Sequence, residues 1–378
     1  MYKCKRAKTI VMFIVLAAIS VFGMLFVSVN AQAAVQVTTI YLYPVDSNNT
    51  DITGCSLQNY SNGQLPYFIY YDENHRPSEG YHIMLYIHGG GWREIGKRWG
   101  NDNNFDAINY FTARGYAIID ASYRLLGDTC GGTSITPADQ LLDVKMAFLR
   151  TYAFRNFSNY WYHNPNAKPE GALALDMNTN AKIVMLGESA GGHLAASFAL
   201  NVPADWKPYL GGVVTVGAPL DFSDFVNRYG YYGDNASNRT MTLGGQNILL
   251  NNLLSLDRSV LAGLIFNYYV YTPLDQRDVM VQNNTLPSYV TSSTVPFLLI
   301  VGDNDPWVPP EQSKLFCEAF GTPVFLAGND TTAAFSCGTG NSQMFVELND
   351  NTHIPTGTSK IGDHLGNLIW NWLDANAQ

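Results

Sequence analysis

Two short motifs carry the residue types and spacing needed for nucleophilic chemistry. The first is Gly187-Glu188-Ser189-Ala190-Gly191. A serine hydroxyl becomes a useful nucleophile only when it is held exposed beside a base, and a glycine on either side removes the bulk that would obstruct a sharp turn at the serine. The match alone is a weak signal, since about 0.2 are expected by chance at this composition. Its context strengthens it, because residues 182–186 read as a buried strand and residues 190–200 as a helix. The second motif is His88-Gly89-Gly90-Gly91-Trp92, directly after the apolar run 81–87. Consecutive glycines let backbone N–H groups approach a ligand closely, as stabilisation of a developing oxyanion requires. Chance occurrence of His-Gly-Gly-Gly is on the order of 0.005, which makes it the stronger signal of the two. Together they imply acyl transfer through a covalent intermediate on Ser189, a chemistry that needs no cofactor and no metal.

Such motifs work only when strands and helices position them. Apolar runs at 81–87, 116–121, 182–186, 212–216 and 296–301 read as buried strands. Helical periodicity is strongest at 137–152, 190–200, 311–320 and 360–373. The alternation predicts an α/β fold with a mostly parallel central sheet and helices on both faces. In such sheets the chemistry belongs in the loops after the carboxyl ends of the strands. Two segments exceed what the sheet needs: a polar and aromatic insertion at 156–180, and residues 220–287, which predict a helical cap over the site.

The sequence resembles the HGGG-type carboxylesterases, the hormone-sensitive-lipase-like esterases of the α/β-hydrolase superfamily, from about Ile83 to Leu373. Besides the two motifs, the resemblance rests on Ser122-Tyr123-Arg124-Leu125, Asp143, Gly192 and the run Gly302-Asp303-Asn304-Asp305-Pro306-Trp307-Val308-Pro309. It implies the α/β-hydrolase fold, oxyanion donors at the amides of Gly90, Gly91 and Ala190, a structural role for His88 and packing for His193. It also implies a triad in the chain order Ser, Asp, His. Asp303 and Asp305 both follow the strand 296–301, and the family's Gly-x-x-Asp spacing selects Asp305, with Asp303 as the alternative. Of the seven histidines only His353 and His364 come later. His353 falls in a polar loop between a strand near 344–348 and the last helix, and so is the expected base, while His364 falls within that helix. The sequence departs from the family at Thr352, where many members have Gly, and at 328–343, which lengthens the approach to the histidine.

At the N-terminus, Lys3, Lys5, Arg6 and Lys8 precede an apolar run from 9 to 29 and then Ala31-Gln32-Ala33. This order predicts a signal peptide over 1–33, with a mature domain at 34–378 that is secreted or periplasmic. Left uncleaved, the run is long enough to anchor the chain to the outer face of a membrane. Removing it takes 22 Lys and Arg to 18 against 31 Asp and Glu, a net −13 where the full chain has −9. That balance opposes nucleic acid and anionic membranes as partners and favours a neutral small-molecule or polymer-linked ester, while the mix of Leu with Tyr and Asn over 220–287 suits a short to medium acyl chain. The four later cysteines predict two disulfides, favoured as Cys317 with Cys337 and Cys55 with Cys130. Rival readings on the same residues are a lipase, an amidase or peptidase sharing the triad, and a non-catalytic binding protein on this fold.

Overall fold

In the computed structural model the apolar runs become the inner strands of one large sheet. The structure describes residues 35–42, 44, 46, 51–96, 107–170, 172–224, 240–243, 246–249, 277–292, 295–305, 307–329, 332–338, 342–349, 353–354 and 359–376. The expected signal segment 1–33 and the Ala31-Gln32-Ala33 site lie outside them. In chain order the sheet strands are β1 Gln36–Leu42, β2 Leu65–Tyr71, β3 His82–Ile87, β4 Tyr116–Ala121, β5 Ile183–Glu188, β6 Leu210–Val216, β7 Phe297–Gly302, β8 Pro323–Asn329, β9 Thr332–Cys337 and β10 Gln343–Leu348. Their spatial order is β1-β2-β4-β3-β5-β6-β7-β10-β9-β8.

From β4 through β3, β5, β6 and β7 to β10 every pairing is parallel. At one margin β1 and β2 pair antiparallel, and β2 joins β4 antiparallel. At the other, β8 and β9 form an antiparallel hairpin on β10. The helices are α1 Ala107–Thr112, α2 Pro137–His163, α3 Ala190–Leu200, α4 Arg277–Asn283, α5 Glu311–Phe320 and α6 Ser359–Asn376. Strand alternation separates two cores. Ile83, Leu85 and Ile87 face one way, into a core with Val144 and Phe148 of α2, Leu194 and Phe198 of α3 and Phe316 of α5. Met84 and Tyr86 face the other, with Phe111 of α1 and Ile369 and Trp372 of α6. Because both faces are covered, β4, β5, β6 and β7 are buried along their whole length, so their sequences are continuous apolar runs and not alternating ones.

Disulfides join Cys55 to Cys130 and Cys317 to Cys337, the expected pairs. The first ties the short strand Cys55–Ser56 to Thr129–Cys130, and the second ties α5 to β9. Among the described residues no helix is long and apolar enough to cross a membrane.

Three expectations are corrected. The supposed insertion 156–180 begins as helix, since α2 continues to His163. The chain beyond that helix is pinned back to it where the Ser158 hydroxyl donates to the carbonyl of Leu173 and accepts from the amide of Leu175. Most of the supposed lengthening at 328–343 is the β8–β9 hairpin that widens the sheet. Within the expected helical cap 220–287 the described residues hold the helix α4 but also, at Thr240–Leu243 and Gln246–Leu249, paired strands around a Gly-Gly pair, a hairpin signal that β-branched Thr240 and Thr242 reinforce. The cap residues 225–239, 244–245 and 250–276 lie outside the described residues.

Candidate active site

At the carboxyl end of β5 the chain turns directly into α3 at Ser189, with φ 50° and ψ −121°. That left-handed φ costs an L-residue on the order of 1–3 kcal/mol and persists only where the surroundings impose it. Here they do. The Ser189 amide donates to the carbonyl of Val216 at 2.8 Å, and its carbonyl accepts from the His193 amide at 3.1 Å. A Cβ on Gly187 would lie 2.4 Å from the carbonyl oxygen of Gly191, and one on Gly191 would lie 2.2 Å from that of Ile87. Both motif glycines are therefore demanded by the closeness of strand and helix.

The glycine loop follows β3 and lies against this turn, since a Cβ on Gly89 would sit 3.2 Å from that of Ser189. Gly90 has φ 113°, and the turn closes as the amides of Arg93 and Glu94 donate to its carbonyl at 3.1 and 2.9 Å. His88 is fully buried. Its Nδ1 donates to the carbonyl of Gly89 at 2.7 Å, its Nε2 lies 3.3 Å from the Tyr60 hydroxyl, and its ring stacks on Tyr123 at 4.4 Å. It is a buttress of the loop, as expected. Behind it, the Gln140 side-chain amide donates to the carbonyls of Trp92 and Arg124. Arg124 forms a two-pronged pair with Asp143, both bonds at 2.8 Å. Among the described residues nothing accepts a hydrogen bond from the amides of Gly90, Gly91 or Ala190.

The remaining partners come from the loops after β7 and β10. His353 Nε2 lies 2.8 Å from the Ser189 hydroxyl oxygen. Its Nδ1 lies 2.9 and 3.1 Å from the two carboxylate oxygens of Asp305, whose side chain is fully buried. Asp305 is oriented in turn, because Oδ1 accepts from the amides of Trp307 at 2.7 Å and Val308 at 2.9 Å. Asp303 does not join them; its carboxylate meets the side chain of Asn304, and its amide ties the turn to Leu348. His364 lies on α6. His193, on α3, stacks on Phe222 at 4.9 Å, and complete burial pushes its pKa down to about 3, which keeps the ring neutral.

Three contributors escape a sequence reading. The Trp307 ring stacks on His353 at 5.2 Å and 13°. Gly217 has φ 58°, and a Cβ there would lie 2.5 Å from the His353 carbonyl oxygen, so its lack of a side chain admits the histidine loop. Gln312 on α5 accepts from the amides of Leu220 and Asp221 and donates to Asp224, fixing the start of the segment beyond β6. Only Gly217 leaves a trace, as a glycine just after a strand; the partners of Trp307 and Gln312 are far away in the chain.

A serine on a strained strand-to-helix turn, a glycine loop after the third strand, and partners in the order Ser, Asp, His on a mostly parallel sheet define one architecture. The fold is that of the α/β-hydrolases. No protein-family model matches the chain, and no curated protein matches it in sequence. Similar solved structures include an acetyl ester-xyloside bifunctional hydrolase from Caldicellulosiruptor lactoaceticus, with 15% identity, 89% of this chain and 96% of that one covered, and a TM-score of 0.49. A phosphonate-inhibited esterase B from Lactobacillus rhamnosis has 17% identity, 90% and 85% coverage and a TM-score of 0.49. A butyrate-bound esterase from Thermogutta terrifontis has 16% identity, 85% and 94% coverage and a TM-score of 0.45. Likeness at this level carries no activity across to this chain.

Proposed function

We propose that the protein is a serine carboxylic-ester hydrolase working through an acyl-enzyme on Ser189. The observation that carries this reading is the unbroken hydrogen-bond chain from the Ser189 hydroxyl through His353 to buried Asp305. In the first half-reaction His353 Nε2 takes the hydroxyl proton as the Ser189 oxygen attacks the ester carbonyl. The carbonyl oxygen becomes an oxyanion beside the amides of Gly90, Gly91 and Ala190, each such donor being worth roughly 3 kcal/mol to the transition state. His353 then returns the proton to the leaving alcohol, and the C–O bond to that alcohol breaks. In the second half, His353 activates a water that attacks the acyl carbonyl, and Ser189 recovers its proton. Asp305 keeps Nδ1 protonated and stabilises the imidazolium that forms.

The substrate favoured is a neutral ester of short to medium acyl length. A net charge of −9 disfavours acidic substrates, and the mix of Leu with Tyr and Asn over 220–287 suits a modest apolar pocket with polar edges. Export is supported by the basic, apolar and small-residue order of 1–33 and by two disulfides, which persist in oxidising compartments. The deciding experiment treats the purified protein with an organophosphate and maps the adduct, alongside kcat/KM for aryl esters from acetate to palmitate. A single adduct on Ser189 with loss of turnover, and butyrate preferred over palmitate, is the expected result. Labelling elsewhere would remove the nucleophile assignment, and a palmitate preference with interfacial activation would make the protein a lipase.

A further inference from the structure

The acid and the base of the candidate site are tied together by more than their hydrogen bond. Asp305, Trp307 and Val308 belong to one tight turn, in which the Asp305 carboxylate accepts from the amides two and three residues on, at 2.7 and 2.9 Å. The turn delivers two groups to His353 at once. The carboxylate meets Nδ1, and the Trp307 indole stacks on the imidazole with 5.2 Å between ring centroids and 13° between planes. At that spacing near-parallel rings are offset, the favoured geometry for a stacked pair. The imidazole is thereby placed from several sides. Nε2 lies on Ser189, Nδ1 on Asp305 and one face on Trp307, and the Cε1 edge passes Gly217, where an added Cβ would lie 3.3 Å from it. The His353 side chain keeps only 13% of its accessibility.

Two in-plane hydrogen bonds leave an imidazole able to rock about the line that joins them, and a flat neighbour on one face opposes that motion. The indole also has an electrostatic consequence. Its face is electron-rich, and of the aromatic side chains it attracts a cation most strongly, within about 6 Å of the ring centroid. On the acyl-transfer reading His353 starts as a neutral base and gains the Ser189 proton as the Ser189 oxygen bonds to the ester carbon. The attraction between indole and imidazole is therefore greater in the transition state than before it. An interaction of that kind raises kcat and leaves KM alone, whereas a ring that only walled the substrate pocket would act on KM.

We propose that Trp307 is a positioning residue for the ester hydrolysis: its ring holds His353 on Ser189 and stabilises the imidazolium formed during acyl transfer. The inference rests on the acyl-enzyme reading above. Substitution isolates the ring, because every residue but proline keeps the backbone amide from which Asp305 accepts. The test is steady-state kinetics on an aryl acetate and an aryl butyrate with Trp307→Phe, Trp307→Tyr, Trp307→Leu and Trp307→Met, together with the thermal midpoint of each. The aromatic variants should keep about a third or more of kcat. The aliphatic variants should lose about tenfold in kcat and in kcat/KM on both esters, with KM within about twofold of wild type. Activity should thus follow the presence of an aromatic face and not the thermal midpoint. Trp307→Met repeats the measurement should Trp307→Leu not fold. The role is overturned if the aliphatic variants turn over within about twofold of wild type, if KM rises while kcat holds, or if the aromatic variants fall as far as the aliphatic ones. Failure of the underlying reading has a different signature. The wild type itself would then show no turnover and no organophosphate adduct on Ser189, which removes the reaction and this role with it.

Discussion

The two halves of the candidate site meet at a 2.8 Å contact between Ser189 and His353 but are held by different means. The nucleophile half is built from backbone. β5, α3 and the glycine loop approach so closely that added methyl groups at Gly187, Gly191 and Gly90 would all strike main-chain atoms. The acid and histidine half is built from side-chain hydrogen bonds and ring contacts, on loops that follow β7 and β10. A backbone-built half needs particular residues at adjacent positions, so it leaves a contiguous motif. The side-chain half needs only that a few groups converge, so it tolerates Thr352 before the histidine and a β8–β9 hairpin inserted before β10.

The sharpest break between the halves is at Ser189 itself. Ser189→Ala should lower kcat/KM on the order of 10⁴-fold or more, while the thermal midpoint stays near that of wild type. Ser189→Gly should be equally inactive but more stable by about 1 kcal/mol, because glycine relieves the φ of 50°. Equal melting of the two variants would show that the turn stores no strain. On the other side of the contact, Asp305→Asn should fold and lose roughly 10³–10⁴-fold in kcat, whereas Asp303→Asn should stay within about twofold. The reverse ranking would hand the role to Asp303.

The halves should also differ in how they fail. Gly191→Ala places a Cβ 2.2 Å from the carbonyl oxygen of Ile87, so it should cost about 3 kcal/mol or more and show first as poor soluble yield. Reducing Cys317–Cys337, which braces α5 beside the acid loop, should cost about 3 kcal/mol in denaturant melts yet leave aryl-ester turnover near normal at 25 °C. A reduced enzyme that is folded but inactive would mean that the disulfide holds the histidine loop directly.

The nucleophile half should also show a pH dependence, which leaves stability near neutral pH untouched. His193 is neutral when folded, with its pKa near 3, against an ordinary value of about 6.5 in the unfolded chain. Between those values the unfolded state binds the extra proton. The contribution is therefore intact above pH 6.5 and is lost as pH falls toward 3, at up to about 1.4 kcal/mol per unit. His193→Phe should flatten that part of the stability profile, and an unchanged slope would show that the buried ring is not its source.

Much of this was readable in the linear chain, and the reason is local. α3 at 190–200 and α5 at 311–320 appear where their periodicity placed them, and the five inner strands fall within two residues of the apolar runs, because full burial on both faces demands continuous apolar sequence. The marginal strands were hidden. β2 is mostly buried but contains Pro66, which argues against a central strand, and β8 exposes Val324, Phe325 and Leu326 at the sheet edge.

By itself the sequence determined the strand, turn and helix around Ser189 and the glycine loop after β3, since those depend on neighbours in the chain and on glycines that no other residue can replace. It narrowed the acid to two aspartates, which only analogy separated, and preferred His353 to His364 because His353 falls in a loop and His364 within a helix. Tertiary structure alone decided that Asp305, held by the amides of Trp307 and Val308, faces Nδ1 of His353, and that Gly217 leaves room for the histidine loop. The contacts of His353 with Asp305 and with Ser189 join residues 48 and 164 positions apart, and geometry at that separation is set by how the layers pack.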